Sequence, residues 1–343
     1  MDLSLFFAGT GGSVPTARRG LPALLARAGA DRLLFDCGEG TQRQLLKTVG
    51  LPELDAIFIT HYHADHWLGL PGMLKTFDLR GRERRLSVYG PPGLKAIFQA
   101  LKPALGRTTY PLALEELDRH EEVDFGGYAI ASFPVQHRIP AYGYALLEDD
   151  RPGRLDPAEA VRLGVTPGPD FGRLQRGETV GGVTPDRVIG PDRPGRRVVV
   201  SGDTAPCQEI EALADGADVL VHEATFLHAD RDRAQETGHS TAAQAAELAR
   251  EAGVGLLALT HLSTRYFPRD VRAEAAAHFD RAHVPRDFDT IEVPFPERGA
   301  PVIVRWEEGG ARAEPETAAA DNGADAEPAT GAKPSPPTAA ESS

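Results

Sequence analysis

The sequence predicts an α/β fold, on three observations. Short apolar runs alternate with amphipathic stretches from the first residues onward, no repeat of fixed period is present, and one Pro-, Gly- and Arg-rich stretch interrupts the alternation. Strands are expected over residues 3–8, 21–27, 32–36, 56–60 and 86–89, with helices over 41–49, 65–77 and 93–101. The second half repeats the style, with strands over 128–135, 142–147, 196–201, 219–222 and 256–260 and a helix opened by Ser240 that runs to about residue 250. Residues 148–195 are too long for an ordinary connection and too poor in apolar periodicity for the core, which predicts a protruding insertion.

With 343 residues, 41% hydrophobic and 25% charged, the chain has material for one large domain or two small ones, and a collagen, a coiled coil and a membrane-spanning protein are excluded. The longest apolar run near the N-terminus, residues 5–8, follows Asp2 and precedes glycines. Neither a signal peptide nor a spanning helix is expected, and the cytoplasm is the expected location. Cys37 and Cys207 form no CxxC pair and are expected as thiols. Residues 307–343 hold eight acidic and two basic side chains and no Leu, Ile, Val or Phe, which predicts a disordered acidic tail. Residues 1–306 carry 42 acidic and 35 basic side chains, which argues against nucleic acid as a partner unless positive charge gathers on one face. Only five of the 37 basic residues are lysines, so phosphate contacts fall mainly to arginine.

The chemistry is concentrated in Thr60-His61-Tyr62-His63-Ala64-Asp65-His66, between an apolar strand and a helical pattern. At a strand end, positions i and i+2 project to one side, so His61 and His63 can converge on one metal, while the turn into a helix aims Asp65 and His66 toward a second. Three later polar residues also stand at the ends of apolar strands: His137, Asp203 and His261. Strand ends along one sheet edge gather side chains distant in sequence. His120, His228, His278 and His283 lack such a context and read as surface histidines.

Further motifs surround this cluster: Phe7-Ala8-Gly9-Thr10-Gly11, Phe35-Asp36-Cys37-Gly38-Glu39-Gly40-Thr41-Gln42-Arg43, Gly69-Leu70-Pro71-Gly72, Tyr89-Gly90-Pro91-Pro92-Gly93 and Ser201-Gly202-Asp203-Thr204. To these are added His222-Glu223-Ala224-Thr225, Gly238-His239-Ser240-Thr241 and Thr260-His261-Leu262-Ser263-Thr264-Arg265-Tyr266. Over residues 1–306 the chain resembles the metallo-β-lactamase superfamily and, within it, the ribonuclease Z family of tRNA 3′-processing endonucleases.

That resemblance implies an αββα sandwich of two mixed sheets with an inserted arm, and two zinc ions per subunit. His61, His63 and His137 would hold one zinc, Asp65, His66 and His261 the other, and Asp203 would bridge them, with Asp36 steadying a ligand histidine. Asp65 would accept a proton, and His239, oriented by Glu223, would donate one to the leaving 3′-oxygen. From the residues alone, Gly238-His239-Ser240-Thr241 reads equally as a helix N-cap. The implied activity is removal of the 3′ trailer from precursor tRNA, leaving a 3′-hydroxyl on the tRNA and a 5′-phosphate on the trailer. The implied assembly is a homodimer in which one subunit's arm holds the tRNA cleaved by the other.

Within the insertion, Pro152-Gly153-Arg154-Leu155 and Thr166-Pro167-Gly168-Pro169-Asp170-Phe171-Gly172 are similar to the flexible arm that grips the tRNA elbow in bacterial members of the family. Its seven arginines face nine acidic residues and no lysine, so contact would depend on how Arg151, Arg154, Arg162, Arg173 and Arg176 are displayed. Arg18-Arg19-Gly20 replaces the Arg-Asn usual in the family, and Lys75, Arg80 and Arg265 are candidate phosphate contacts. Two other readings compete. A phosphodiesterase for small diesters would keep every ligand and need no arm, and a zinc-stabilised binding protein would need neither Glu223 nor His239.

Overall fold

Apolar runs without alternation, such as Ile57-Phe58, Val198-Val199-Val200 and Leu256-Leu257-Ala258, suit strands covered on both faces. In the computed structural model, which describes residues 1–307, each lies inside a sheet. The first half runs β1 (Leu3–Gly9), β2 (Ala23–Ala28), β3 (Asp31–Phe35), α1 (Thr41–Lys47), β4 (Ala56–Phe58), α2 (Ala64–Trp67), α3 (Leu70–Leu79), β5 (Leu86–Gly90), α4 (Leu94–Leu105) and β6 (Leu112–Glu116). The second half runs β7 (Glu122–Asp124), β8 (Tyr128–Pro134), β9 (Tyr142–Glu148), α5 (Pro157–Arg162), α6 (Pro169–Gln175), β10 (Arg197–Val200), α7 (Gln208–Ala214) and β11 (Val219–Glu223). It continues with α8 (Arg231–Thr237), α9 (Ala242–Glu251), β12 (Leu256–Thr260), α10 (Pro268–Ala276), β13 (Ala282–His283), β14 (Thr290–Glu292) and β15 (Val302–Val304).

The strands form two mixed sheets, in the orders β15-β14-β1-β2-β3-β4-β5-β6 and β13-β12-β11-β10-β9-β8-β7. They face each other across a core that includes Leu5, Phe7, Phe58, Tyr144, Val200 and Val221. On the outer face of the first sheet, Leu45 of α1, Phe77 of α3 and Leu94 of α4 pack over Leu34 and Ile57. On the outer face of the second, Ile210 of α7, Ala246 of α9 and Val271 of α10 pack over Val199 and Leu220. Period two along β10 and β11 therefore assigns alternate residues to the two interfaces, and the layers are αββα. Strands β3–β6 run parallel, as do β10–β13, so their C-terminal ends collect along one rim.

Several elements depart from the sequence-based expectation. The helix expected over 65–77 is two helices, because Gly69 packs its backbone onto the turn after β3, where a Cβ would stand 2.0 Å from the Gly38 carbonyl oxygen. The helix expected to open at Ser240 is capped instead by Thr241 in a reciprocal pair with Gln244, and the Ser240 hydroxyl donates to the Thr204 carbonyl. Strands β6, β7, β13, β14 and β15 and helices α7, α8 and α10 carry too few apolar residues in phase to stand out. Residues 148–195 are not structureless. Arg151 bridges to Arg193 and Leu155 to Ile189, forming a two-stranded stem, and α5 and α6 enclose a small apolar cluster of Ala160, Val165, Leu174, Val180, Val183 and Val188. The expected acidic tail, apart from Glu307, lies outside the described residues. Among those described, no helix is long and apolar enough to cross a membrane.

Candidate active site

The rim at the C-terminal ends of β3, β4, β8, β10, β11 and β12 carries Asp36, His61, His137, Asp203, Glu223 and His261. Two of these positions require unusual backbone. Asp36 (φ 57°) and His261 (φ 56°) occupy the left-handed region, which turns each side chain out of its strand line at a cost other residue types would bear more heavily. The single turn of α2, which starts just after His63, re-aims Asp65 and His66 relative to His61.

The fold brings all seven sequence-derived ligand candidates together. His61 Nε2 lies 3.0 Å from His63 Nδ1, which lies 3.2 Å from His137 Nε2. His261 Nε2 lies 3.3 Å from Asp65 Oδ2 and 3.2 Å from Asp203 Oδ2, and His66 Nε2 lies 3.3 Å from the same Asp203 oxygen. His61, His63, His137 and Asp203 form one group of converging donors, and Asp65, His66 and His261 another. Tetrahedral ligands about 2.0–2.1 Å from an ion stand roughly 3.3 Å apart, the spacing these nitrogens and oxygens adopt.

The outward-facing ring nitrogens fix which atoms point inward. His66 Nδ1 donates to Asp36 Oδ2 at 2.7 Å, and Asp36 is itself held by the Thr60 amide at 2.8 Å and by the Thr60 hydroxyl. His137 Nδ1 donates to the Gly238 carbonyl at 2.7 Å. The single Thr225 hydroxyl proton goes to Glu223 Oε2 at 2.5 Å, so that hydroxyl accepts from His261 Nδ1 at 2.8 Å. His66, His137 and His261 thus turn Nε2 to the centre, whereas His63 turns Nδ1. His66 Nε2, fully buried, makes no hydrogen bond. An orphaned buried nitrogen among carboxylates and imidazoles fits a metal ion, and nitrogen with carboxylate donors suits zinc among others.

The field follows from these contacts. Burial opposes charge on His66, yet Asp203 and Asp36 overcome it and drive the imidazole well above its ordinary range, whereas burial beside His66 drives His61 well below. Burial also opposes charge on Asp203, but His261 and His66 hold its carboxyl well below the usual range.

Beside the ligand cluster, Glu223 Oε1 accepts from the Thr204 amide at 2.6 Å and from His239 Nδ1 at 2.8 Å. Burial works against the charged imidazole, but Glu223 outweighs it, with help from Asp203, and His239 is pushed up to about 9. His239 is therefore a protonated acid, still partly open to solvent, 3.9 Å from Asp203.

The chain is similar to known proteins. The family of beta-lactamase superfamily domains matches residues 31–262. A ribonuclease Z of Myxococcus xanthus is 46% identical over 302 residues, spanning 85% of this chain and 98% of that protein. The chain belongs to the ribonuclease Z family. Another ribonuclease Z, from Archaeoglobus fulgidus, is 42% identical across 87% of this chain and 100% of its own length. The crystal structure of human tRNase Z, short form, superposes with a TM-score of 0.63 at 27% identity, covering 85% of this chain and 99% of that one. Like its family, this chain is a hydrolase of the metallo-β-lactamase fold.

Sequence reasoning marked Asp36 among the groups that support the cluster, where His66 Nδ1 reaches it, but missed others. Asp287, buried beyond the last site motif, accepts from the Thr10 amide at 3.0 Å, the Thr10 hydroxyl at 2.6 Å, the Gly20 amide at 2.5 Å and Gln44 at 2.8 Å. This fastens the β1–β2 loop, whose Ser13 amide donates to Asp65 Oδ2 at 2.7 Å. Arg19, at the departure from the family pattern, turns inward to the Thr10 hydroxyl and the Pro285 carbonyl. Its role there is structural. Thr225 lay within a recognised motif, but no spacing rule points to Asp287.

Proposed function

We propose that this chain is a zinc-dependent endoribonuclease that removes the 3′ trailer from precursor tRNA in the cytoplasm, leaving a 3′-hydroxyl on the tRNA and a 5′-phosphate on the trailer. The observation that carries this reading is the 2.8 Å contact between Glu223 and His239 beside seven converging metal donors. A binding protein would have no use for that pair. His61, His63 and His137 would hold one zinc, Asp65, His66 and His261 the second, and Asp203 would serve both. Two such ions lower the pKa of water and neutralise charge on a phosphodiester. Asp65, with its free lone pairs near the cluster, accepts a proton. His239, protonated and oriented by Glu223, donates one to the leaving oxygen, a step worth about 10²–10⁴ in rate.

The arm is the second part of the proposal. Most of its arginines are engaged: Arg162 with Glu159, Arg173 and Arg176 with Glu178, and Arg151 and Arg193 with Glu297. Arg154 also reaches Glu297, at 4.0 Å, so contact with the tRNA elbow would rest on shape and on Arg187 rather than on a basic field, within a homodimer where the arm serves the partner's site. The test is a gel assay of purified protein, zinc-loaded and after chelation, on a pre-tRNA with a 3′ trailer beside bis(p-nitrophenyl) phosphate. Zinc-dependent cleavage at the trailer junction is expected. Hydrolysis of the small diester alone would replace the proposal with a small-molecule phosphodiesterase.

A further inference from the structure

Away from the metal cluster, α3, α4 and β6 enclose an open cleft of about 600 Å³ with a charge unlike the rest of the protein. Lys75, Lys95, Lys102 and Arg107 line it, and no Asp or Glu does. Those are three of the chain's five lysines, in a sequence with 50 acidic residues and a net charge of -13. Lys75 is tied to Asp78, but among the described residues Lys95, Lys102 and Arg107 make no ion pair. Glu116 accepts from the amides of Gly93 and Lys95 at the start of α4. Lys95 and Lys102 are seven residues apart on one face of α4, so their bases stand about 10.5 Å apart along the axis.

The N-terminal end of α4 lies next to the metal loop. Gly93, just before α4, packs against Tyr62, where a Cβ would stand 3.4 Å from the ring, and Tyr62 lies between His61 and His63. The row Lys95, Lys102, Arg107 therefore starts beside the metal loop and leads away from it.

We infer that this cleft binds the phosphate backbone of the RNA strand whose scissile bond lies at the metal cluster, an inference that rests on the function proposed above. A span of about 10.5 Å corresponds to about three axial rises of ~3.4 Å, so it reaches from one phosphate of a helical strand to the third beyond it. Phe98 supplies an aromatic side chain in the cleft, suited to an unstacked base. Positive charge is thus gathered on one face, the condition under which an acidic chain can hold nucleic acid.

The test compares the full chain with its Lys95→Gln/Lys102→Gln/Arg107→Gln variant, measuring pre-tRNA binding against salt concentration for substrates with trailers of three and twenty nucleotides. Hydrolysis of bis(p-nitrophenyl) phosphate checks that the variant is folded. The inference expects binding weaker by roughly tenfold or more at low salt, with the slope of log K against log[salt] shallower by about 2–3. Loss confined to the long trailer would assign the cleft to the trailer, and loss with both to the tRNA body. An unchanged slope with both substrates overturns the inference. So does tighter binding by the variant, which would mean that the acidic segment 308–343 is the cleft's occupant. Wild-type cleavage at the trailer junction is read in parallel, so failure of the proposed function is seen separately from failure of the cleft.

Discussion

Gly12 lies flat against the imidazole of His261: a Cβ added there would stand 2.5 Å from Nδ1 and 2.6 Å from Cε1. Nδ1 is the atom that binds Thr225, and the Gly12 amide is itself bonded to the Leu262 carbonyl at 3.1 Å, so neither side can yield freely. Gly12→Ala should therefore rotate His261 off its inward aim. Metal affinity should fall about 10–100-fold, in the range seen when a ligand's support is removed. Competitive zinc titration checks this, and a variant with full affinity and unchanged turnover would remove Gly12 from the site's construction.

The two members of the acid pair should fail differently. His239→Ala removes the proton donor but leaves the Thr225 bond to Glu223 Oε2 in place, so turnover should fall by about two to four orders of magnitude with bound zinc unchanged. Glu223 also receives the Thr225 proton and through it sets the tautomer of His261. Glu223→Ala should lose zinc as well as turnover. Elemental analysis after dialysis separates the two outcomes, and equal zinc contents would break the link through Thr225.

What the sequence shows of this site is what local spacing and strand ends can show. The segment from His61 to His66 declares itself because four ligand-type side chains fall within six residues, and Asp203 and His261 follow unmistakable parallel strands. The αββα layering is less visible, since apolar runs in β4, β10 and β12 say that both faces are covered and not by what. Asp287 and Gln44 converge from 243 positions apart to fasten a loop, and nothing in either neighbourhood signals it. Of the cleft lysines, Lys75 was a candidate phosphate contact on its own, but Lys95 and Lys102 escaped notice, because they join Lys75 only when α4 lies beside α3.

Excision of the arm should separate substrate recognition from chemistry. The stem closes where the Arg151 amide donates to the Arg193 carbonyl at 2.8 Å and receives the reverse bond at the same distance, so a short glycine turn can replace residues 154–190. The arm's apolar cluster is its own, apart from the cores that carry the ligands. The shortened protein should hydrolyse bis(p-nitrophenyl) phosphate at the full rate while pre-tRNA cleavage is lost. Parallel loss of both activities would show that the arm supports the site and does not grip the substrate.

The arm's attachment should depend on acid. Glu297 binds Arg151 through both oxygens, at 2.8 and 3.1 Å, and Arg193 at 2.8 Å, joining both strands of the stem to the body. The Arg151 hydrogen bonds pull its carboxyl down to about 2, below the ~4.3 of an unperturbed glutamate. A group lowered in the folded state contributes stability that is present above its unfolded value and lost as pH falls toward the folded one. The stem should thus stay closed at neutral pH and loosen between about pH 4 and 2. The protection of the Arg151 and Arg193 amides against hydrogen exchange, relative to the intrinsic rate at each pH, should fall across that window in the wild type. In Glu297→Gln, protection should already be low at neutral pH and unchanged below it. A pH-dependent fall of equal size in the variant would assign the effect to another carboxylate.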